Sequence, residues 1–200
     1  MKLYKPVGLF EMEKILESDG NGFPDRLPEQ PIFYPVVNYS YAIQIAEKWN
    51  KDNYNSGFSG YVTEFNIADE YIKNYEIHCV GDKNCKEYWI PSNQLAVFNQ
   101  NITDKIKIIE AFYGEQYNGI KPSGLSSFKE EKINNQFNLL KNTLSYNPFD
   151  FSCTVFVEWE LINLNLLYWS KNIDKSDNVV KEMSKCLERN NKLFVNNKTS

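Results

Sequence analysis

Histidine is nearly absent from this 200-residue chain: His78 stands alone. That leaves a single imidazole for general-base work and argues against a Ser–His–Asp arrangement. Arginine is almost as scarce, with Arg26 and Arg189 against twenty lysines. No GxGxxG and no Walker pattern occurs, which excludes a phosphate-cradling glycine loop of those kinds. The four cysteines, Cys79, Cys85, Cys153 and Cys186, include no CxxC pair. A zinc site from His78, Cys79 and Cys85 would need neighbours on one strand to point the same way, and they do not. No metal site is expected. Sparse, unpatterned cysteines suit a reducing compartment.

Positive charge is also short. The formal net charge is −4. Residues 1–114 carry 11 Lys and Arg against 16 Asp and Glu, and the remainder is close to balanced. The bulk field does not draw a phosphate backbone, so no nucleic-acid partner is expected. Long apolar runs are missing too. Acidic residues interrupt "MKLYKPVGLFEMEK", so it does not read as a secretory leader. The most apolar stretch, "FDFSCTVFVEWELINLNLLYWS" (149–170), contains Glu158, Glu160, Asn163 and Asn165, which are costly in lipid. It reads as a buried or interface helix, and the chain reads as soluble and cytoplasmic, with no membrane partner.

Aromatics, by contrast, are plentiful: 13 Tyr, 13 Phe and 4 Trp. They predict a core of large side chains, with some Tyr and Trp left to line a groove. Periodicity predicts a strand at 2–8 and a helix at 9–18 with Leu9, Met12, Ile15 and Leu16 inward. A long Gly- and Pro-dense loop follows at 19–31. A strand broken at Pro35 spans 32–37. A helix spans 40–52, with Ser40 as cap and Ala42, Ile45, Ala46 and Trp49 on one face. Strands are expected at 59–67, around 74–80, from 86 and at 106–114, with a short helix capped by Ser92 at 92–102. Residues 115–127 read as a linker. Helices are expected at 128–146, within 151–170 and at 177–195, with the last five residues frayed. The expected class is therefore α+β over 1–114, with a helical C-terminal extension over 128–200.

Glu87 in "KEYWIP" is the conspicuous acid. Alternation puts Glu87 and Trp89 on one strand face and Tyr88 and Ile90 on the other. If the second pair faces the core, Glu87 faces solvent or a cleft. Glu11 with Glu13 and Asp69 with Glu70 are further carboxylate pairs, each read as a solvated surface. Arg26 can grip phosphate through its fork or anchor its loop to carbonyls. Tyr34 and Trp89 are more often core aromatics than ligand stackers.

The segments "LYKPVG", "GFPDRLPEQPIFYPVVNYSYAIQIAEKWN", "GYVTEFNI", "EYWIPSNQLAVFNQNI" and "IKIIEAFYG" run in order through residues 3–114. They resemble a small bacterial family labelled after ADP-ribosylation and a lens crystallin. The element order is similar to the ADP-ribosyltransferase fold, which implies a split antiparallel sheet. In that group a Glu followed by apolar residues and a Pro is catalytic, which "EYWIP" resembles. The resemblance implies NAD as substrate and no metal. It implies Glu87 as catalyst, Lys5 where that fold carries a phosphate-gripping Arg, Arg26 as a second grip, and Tyr34 and Trp89 as ring stackers. The acceptor would be a protein or a small molecule. Cys85 stands where arginine-modifying members carry a second Glu, so arginine is not the expected acceptor. The competing expectation is a non-catalytic interaction module on the same shell, as used in bacterial conflict systems, with 149–170 pairing two copies as a homodimer.

Overall fold

The structure is a computed structural model that describes residues 1–173 and 178–196. In chain order, β1 (Lys2–Gly8) leads into α1 (Leu9–Glu17), and after a loop come β2 (Ile32–Phe33) and α2 (Tyr39–Ile45). Next are β3 (Ser59–Asn66), α3 (Asp69–Ile72), β4 (Ile77–Cys79), β5 (Lys86–Tyr88), β6 (Ile90–Pro91), α4 (Leu95–Gln100) and β7 (Lys107–Tyr113). The class is α+β, as the periodicity predicts.

The central sheet is antiparallel with order β1-β3-β7, and β4-β5 and β2-β6 form two further pairs. Val36 joins the pieces. It bridges Tyr4 on one side and Glu87 on the other, so the β4-β5 hairpin continues the β1 edge through one residue. Strand β3 is buried on both faces over its first five residues, and only Glu64 and Asn66, on the Val62 face, are partly exposed. Tyr61 and Phe65 enter the main core with Leu3, Val7, Met12, Ile15 and Leu16. Val62 enters a smaller cluster with Val36, Tyr41, Ala42 and Ala46. Each large apolar side chain so buried contributes about 1.5–3 kcal/mol. Gly60 lets the turn that follows α2 lie directly on the sheet, since a Cβ there would sit 2.1 Å from the Ala46 carbonyl oxygen.

Several local expectations are corrected. The strand expected over 32–37 is two pieces, because Pro35 cannot donate to a ladder. The helix expected over 40–52 starts at Tyr39 behind Asn38, not at Ser40, and continues as a π-helical turn over Ala46–Asn50. That wider turn shifts the register of the last residues, and Trp49 points to solvent instead of joining Ala42 and Ala46. Ser92 opens a 3-10 turn, and α4 begins only at Leu95.

The C-terminal part is α5 (Ile133–Tyr146), α6 (Pro148–Val157), α7 (Trp159–Asn172) and α8 (Val179–Arg189). The helix expected from 128 begins five residues later, after Lys129 takes a left-handed conformation (φ 49°). Asn147 both ends α5 and caps α6, its Oδ1 accepting from the Phe149 and Asp150 amides at 3.0 and 3.4 Å. The 151–170 stretch is broken at Glu158. The cause is tertiary: the buried Glu158 carboxylate accepts from the Ser127 amide at 2.6 Å and the Ser126 hydroxyl at 2.8 Å. The helix expected over 177–195 stops at Arg189. Phe194 and Val195 then run along β7, with the Ile108 amide donating to the Phe194 carbonyl at 2.7 Å. Residues 197–200, which hold most of the expected frayed end, and residue 177 lie outside the described residues.

The segment 115–132 is stitched down at several points. Glu13 accepts from the Ser123 amide at 2.9 Å. Tyr117 donates to Asn165 at 2.5 Å, and Asn165 donates to the Gly119 carbonyl and to Gln136, both at 2.9 Å. One apolar core runs from Leu3 through Phe137, Leu164 and Trp169. Helix α7 packs on α1 and β7, so the helical part covers the main-core face of the sheet. No helix among the described residues is long and apolar enough to cross a membrane.

Candidate functional site

The five residues singled out in the sequence do not converge on one site. They fall into two groups on opposite faces of the sheet. The register decides this. Tyr4, Val36 and Glu87 are successive cross-strand partners, and Glu87 in turn faces His78. Partners across antiparallel strands share a face, so Glu87 lies on the Tyr4 side, with the α2 cluster. Lys5 is the next residue along β1 and points to the other face, with Leu3 and Val7.

The first group surrounds Glu87. Tyr88 and Ile90 do enter the core, yet Glu87 is itself only 8% exposed. It is neither in solvent nor uncovered. Trp89 Nε1 donates to Oε1 at 2.8 Å, and the Tyr41 hydroxyl donates to Oε2 at a long 3.4 Å. Burial, then the Glu87 charge, pushes the Tyr41 phenol up to about 12, so it stays a donor at neutral pH. The expectation that Tyr34 and Trp89 are core aromatics is overturned: they are 37% and 42% exposed. Their rings meet edge to face at 6.2 Å. His78 stacks flat on Trp89 at 4.2 Å with 16° between planes. A buried carboxylate therefore underlies three accessible rings. Aromatic faces and a fixed negative charge together attract planar cations.

The second group lies across the sheet around Phe33. Lys5 is 9% exposed. Its Nζ has one acceptor, the Pro6 carbonyl at 3.4 Å, and sits 5.5 Å from the Phe33 ring centroid. Burial lowers the Lys5 pKa; the Glu11 carboxylate opposes this, Arg26 adds to it, and Glu87 opposes it from the other face. Arg26 turns in from the 18–31 loop, 5.9 Å from the same ring, and reaches Glu11 at 3.4 Å.

The carboxylate pairs read as solvated are not alike. Glu11 faces Arg26, while Glu13 is buried under Ser123. Asp69 holds the N-terminal ammonium and Glu70 pairs with Lys73. Nothing local in "NYSYAIQ" signals the contact of Tyr41 with Glu87. His78, the single imidazole, is a stacking partner of Trp89. Among the described residues no cluster of three potential metal ligands occurs. A hollow of about 380 Å³ between Lys51, Phe58, Tyr113 and Gln116 shares no residue with either group.

No family model, no curated protein and no solved structure matches this chain. The geometry of the two groups therefore carries the functional argument.

Proposed function

We propose that the Glu87 face binds the nicotinamide riboside half of NAD, and that the chain cleaves NAD or transfers its ADP-ribosyl group there. The observation that supports this most is the buried Glu87 carboxylate, held from two sides beneath the exposed rings of Trp89 and Tyr34. The oxidised nicotinamide ring is a planar cation, which those rings and that charge favour. When the C1′–N bond breaks, its electron pair leaves with nicotinamide and positive charge develops on the ribose. A fixed carboxylate in a partly desolvated site stabilises that charge. Water or an acceptor then adds at C1′ and gives up a proton.

In this reading Trp89 and Tyr41 are positioning residues, because they fix both carboxylate oxygens. Lys5 and Arg26 take no part, since the sheet separates them from Glu87. Calorimetric titration with NAD and with NADH tests the reading. NADH has a neutral ring, so NAD binds more tightly; equal affinities would count against it.

A second reading has its own support. The outer side of α6 leaves Phe149, Phe156 and Val157 exposed, with Cys153 exposed beside them. Such a patch suits a non-catalytic interaction module that pairs two copies through α6.

A further inference from the structure

We propose that Lys5 and Arg26 form a second site, for a single phosphate-type oxyanion, on the sheet face opposite Glu87. Two cations, Lys5 buried and Arg26 half-buried, share one aromatic ring, at 5.5 and 5.9 Å from the Phe33 centroid. Only one carboxylate, Glu11, reaches them on that face among the described residues, and it does so at 3.4 Å from Arg26 alone. Lys5 makes no ion pair among the described residues. Its ammonium has three donors and one acceptor, beyond the usual 2.7–3.2 Å range. Arg26 Nε is buried and has no hydrogen-bond partner among the described residues. Leaving buried cationic donors unpaired is costly, and a charge-assisted acceptor removes that cost.

The chain around Arg26 points the same way. Asp25, Leu27, Pro28 and Glu29 are exposed, yet the Arg26 side chain is turned inward from among them. An arginine that only anchored its loop would be expected to bond carbonyls there, and no such bond occurs among the described residues. An oxyanion placed between Arg26 Nε and Lys5 Nζ meets donors from both and offsets the excess positive charge. Arginine's edge-on geometry suits a tetrahedral oxyanion better than a chloride ion. The 18–31 loop is the access route, because Arg26 and Glu11 retain some exposure while Lys5 lies deeper.

The experiment is calorimetry of the full chain with inorganic phosphate, at constant ionic strength set with sodium chloride. One saturable site is expected. Arg26→Met and Lys5→Met each weaken it at least about tenfold, the loss of one hydrogen bond to a charged group. Glu87→Gln does not weaken it, because the charge removed is negative and lies on the other face. Arg26→Lys keeps the charge but not the Nε donor, and is also expected to bind more weakly; circular dichroism checks that each variant is folded. Repeating the titration with AMP separates free phosphate from a phosphate carried on a nucleotide: tighter binding of AMP assigns the carried form, tighter binding of phosphate the free form. The proposal is overturned if wild type shows no saturable heat, or if the Arg26 and Lys5 variants bind phosphate as wild type does. It is equally overturned if phosphate displaces NAD, since the two sites would then be one. Loss of NAD binding with phosphate binding intact would sink the Glu87 reading alone.

Discussion

Replacing Lys5 with methionine should stabilise the protein. The ammonium is buried, its one hydrogen bond is long, and it makes no ion pair among the described residues. What it gains is a cation–π contact with Phe33, worth about 2 kcal/mol at a desolvated site. Against that stands a desolvation cost of several kcal/mol for a buried ion. Methionine keeps the stem volume and removes the charge, and Glu11 still has Arg26. The expected gain in unfolding free energy is about 1–2 kcal/mol near neutral pH in a phosphate-free buffer. The sign with pH follows from linkage. Lys5 titrates lower in the fold than its ordinary 10.5. Between those values the unfolded chain holds a proton that the native one lacks, so wild type gains stability as pH rises through that window. The advantage of Lys5→Met is therefore largest below it and shrinks toward 10.5. Urea unfolding at about pH 7 and about pH 9.5 reads both terms. A variant less stable by about 1 kcal/mol at neutral pH, or a difference that grows with pH, would refute the reasoning.

Two other outcomes follow. Glu158→Ala removes the acceptor for the Ser126 hydroxyl and the Ser127 amide, and should cost roughly 2–4 kcal/mol in urea unfolding; a cost below about 0.5 kcal/mol would mean that the 115–132 segment is not held there. Phe156→Asp with Val157→Asp alters only exposed positions and should leave stability within about 0.5 kcal/mol. If α6 pairs two copies, sedimentation at two concentrations shows association in wild type and none in the variant, whereas a strict monomer at both removes that second reading.

The elements were legible where hydrophobic period and length agreed. Strands β3 and β7 lie within a residue of their expected bounds, and α1 buries the four residues its spacing points to. Boundaries set by tertiary contact were not legible. Nothing in "VFVEWEL" marks Glu158 as a helix break, because the serines that hold it come 31 and 32 residues earlier. The π-helical turn that turns Trp49 outward has no glycine or proline to announce it. The site was legible as residues and not as an arrangement. "KEYWIP" correctly separates the Glu87–Trp89 face from the Tyr88–Ile90 face. What places Lys5 on the far side is the pairing of Val36 with both Tyr4 and Glu87, a register spanning 83 residues that no local pattern encodes.

The most direct test of the central claim is NAD titrated into wild type and into Glu87→Gln, with the products separated by chromatography. Glutamine keeps the shape of the side chain and its one carbonyl oxygen can still accept from Trp89, with its amide NH2 turned to the Tyr41 oxygen, but it removes the charge. The account predicts NAD binding and slow release of nicotinamide by wild type, with at least about tenfold weaker binding or slower release in the variant. NAD bound and processed equally by both proteins, or by neither, would contradict it.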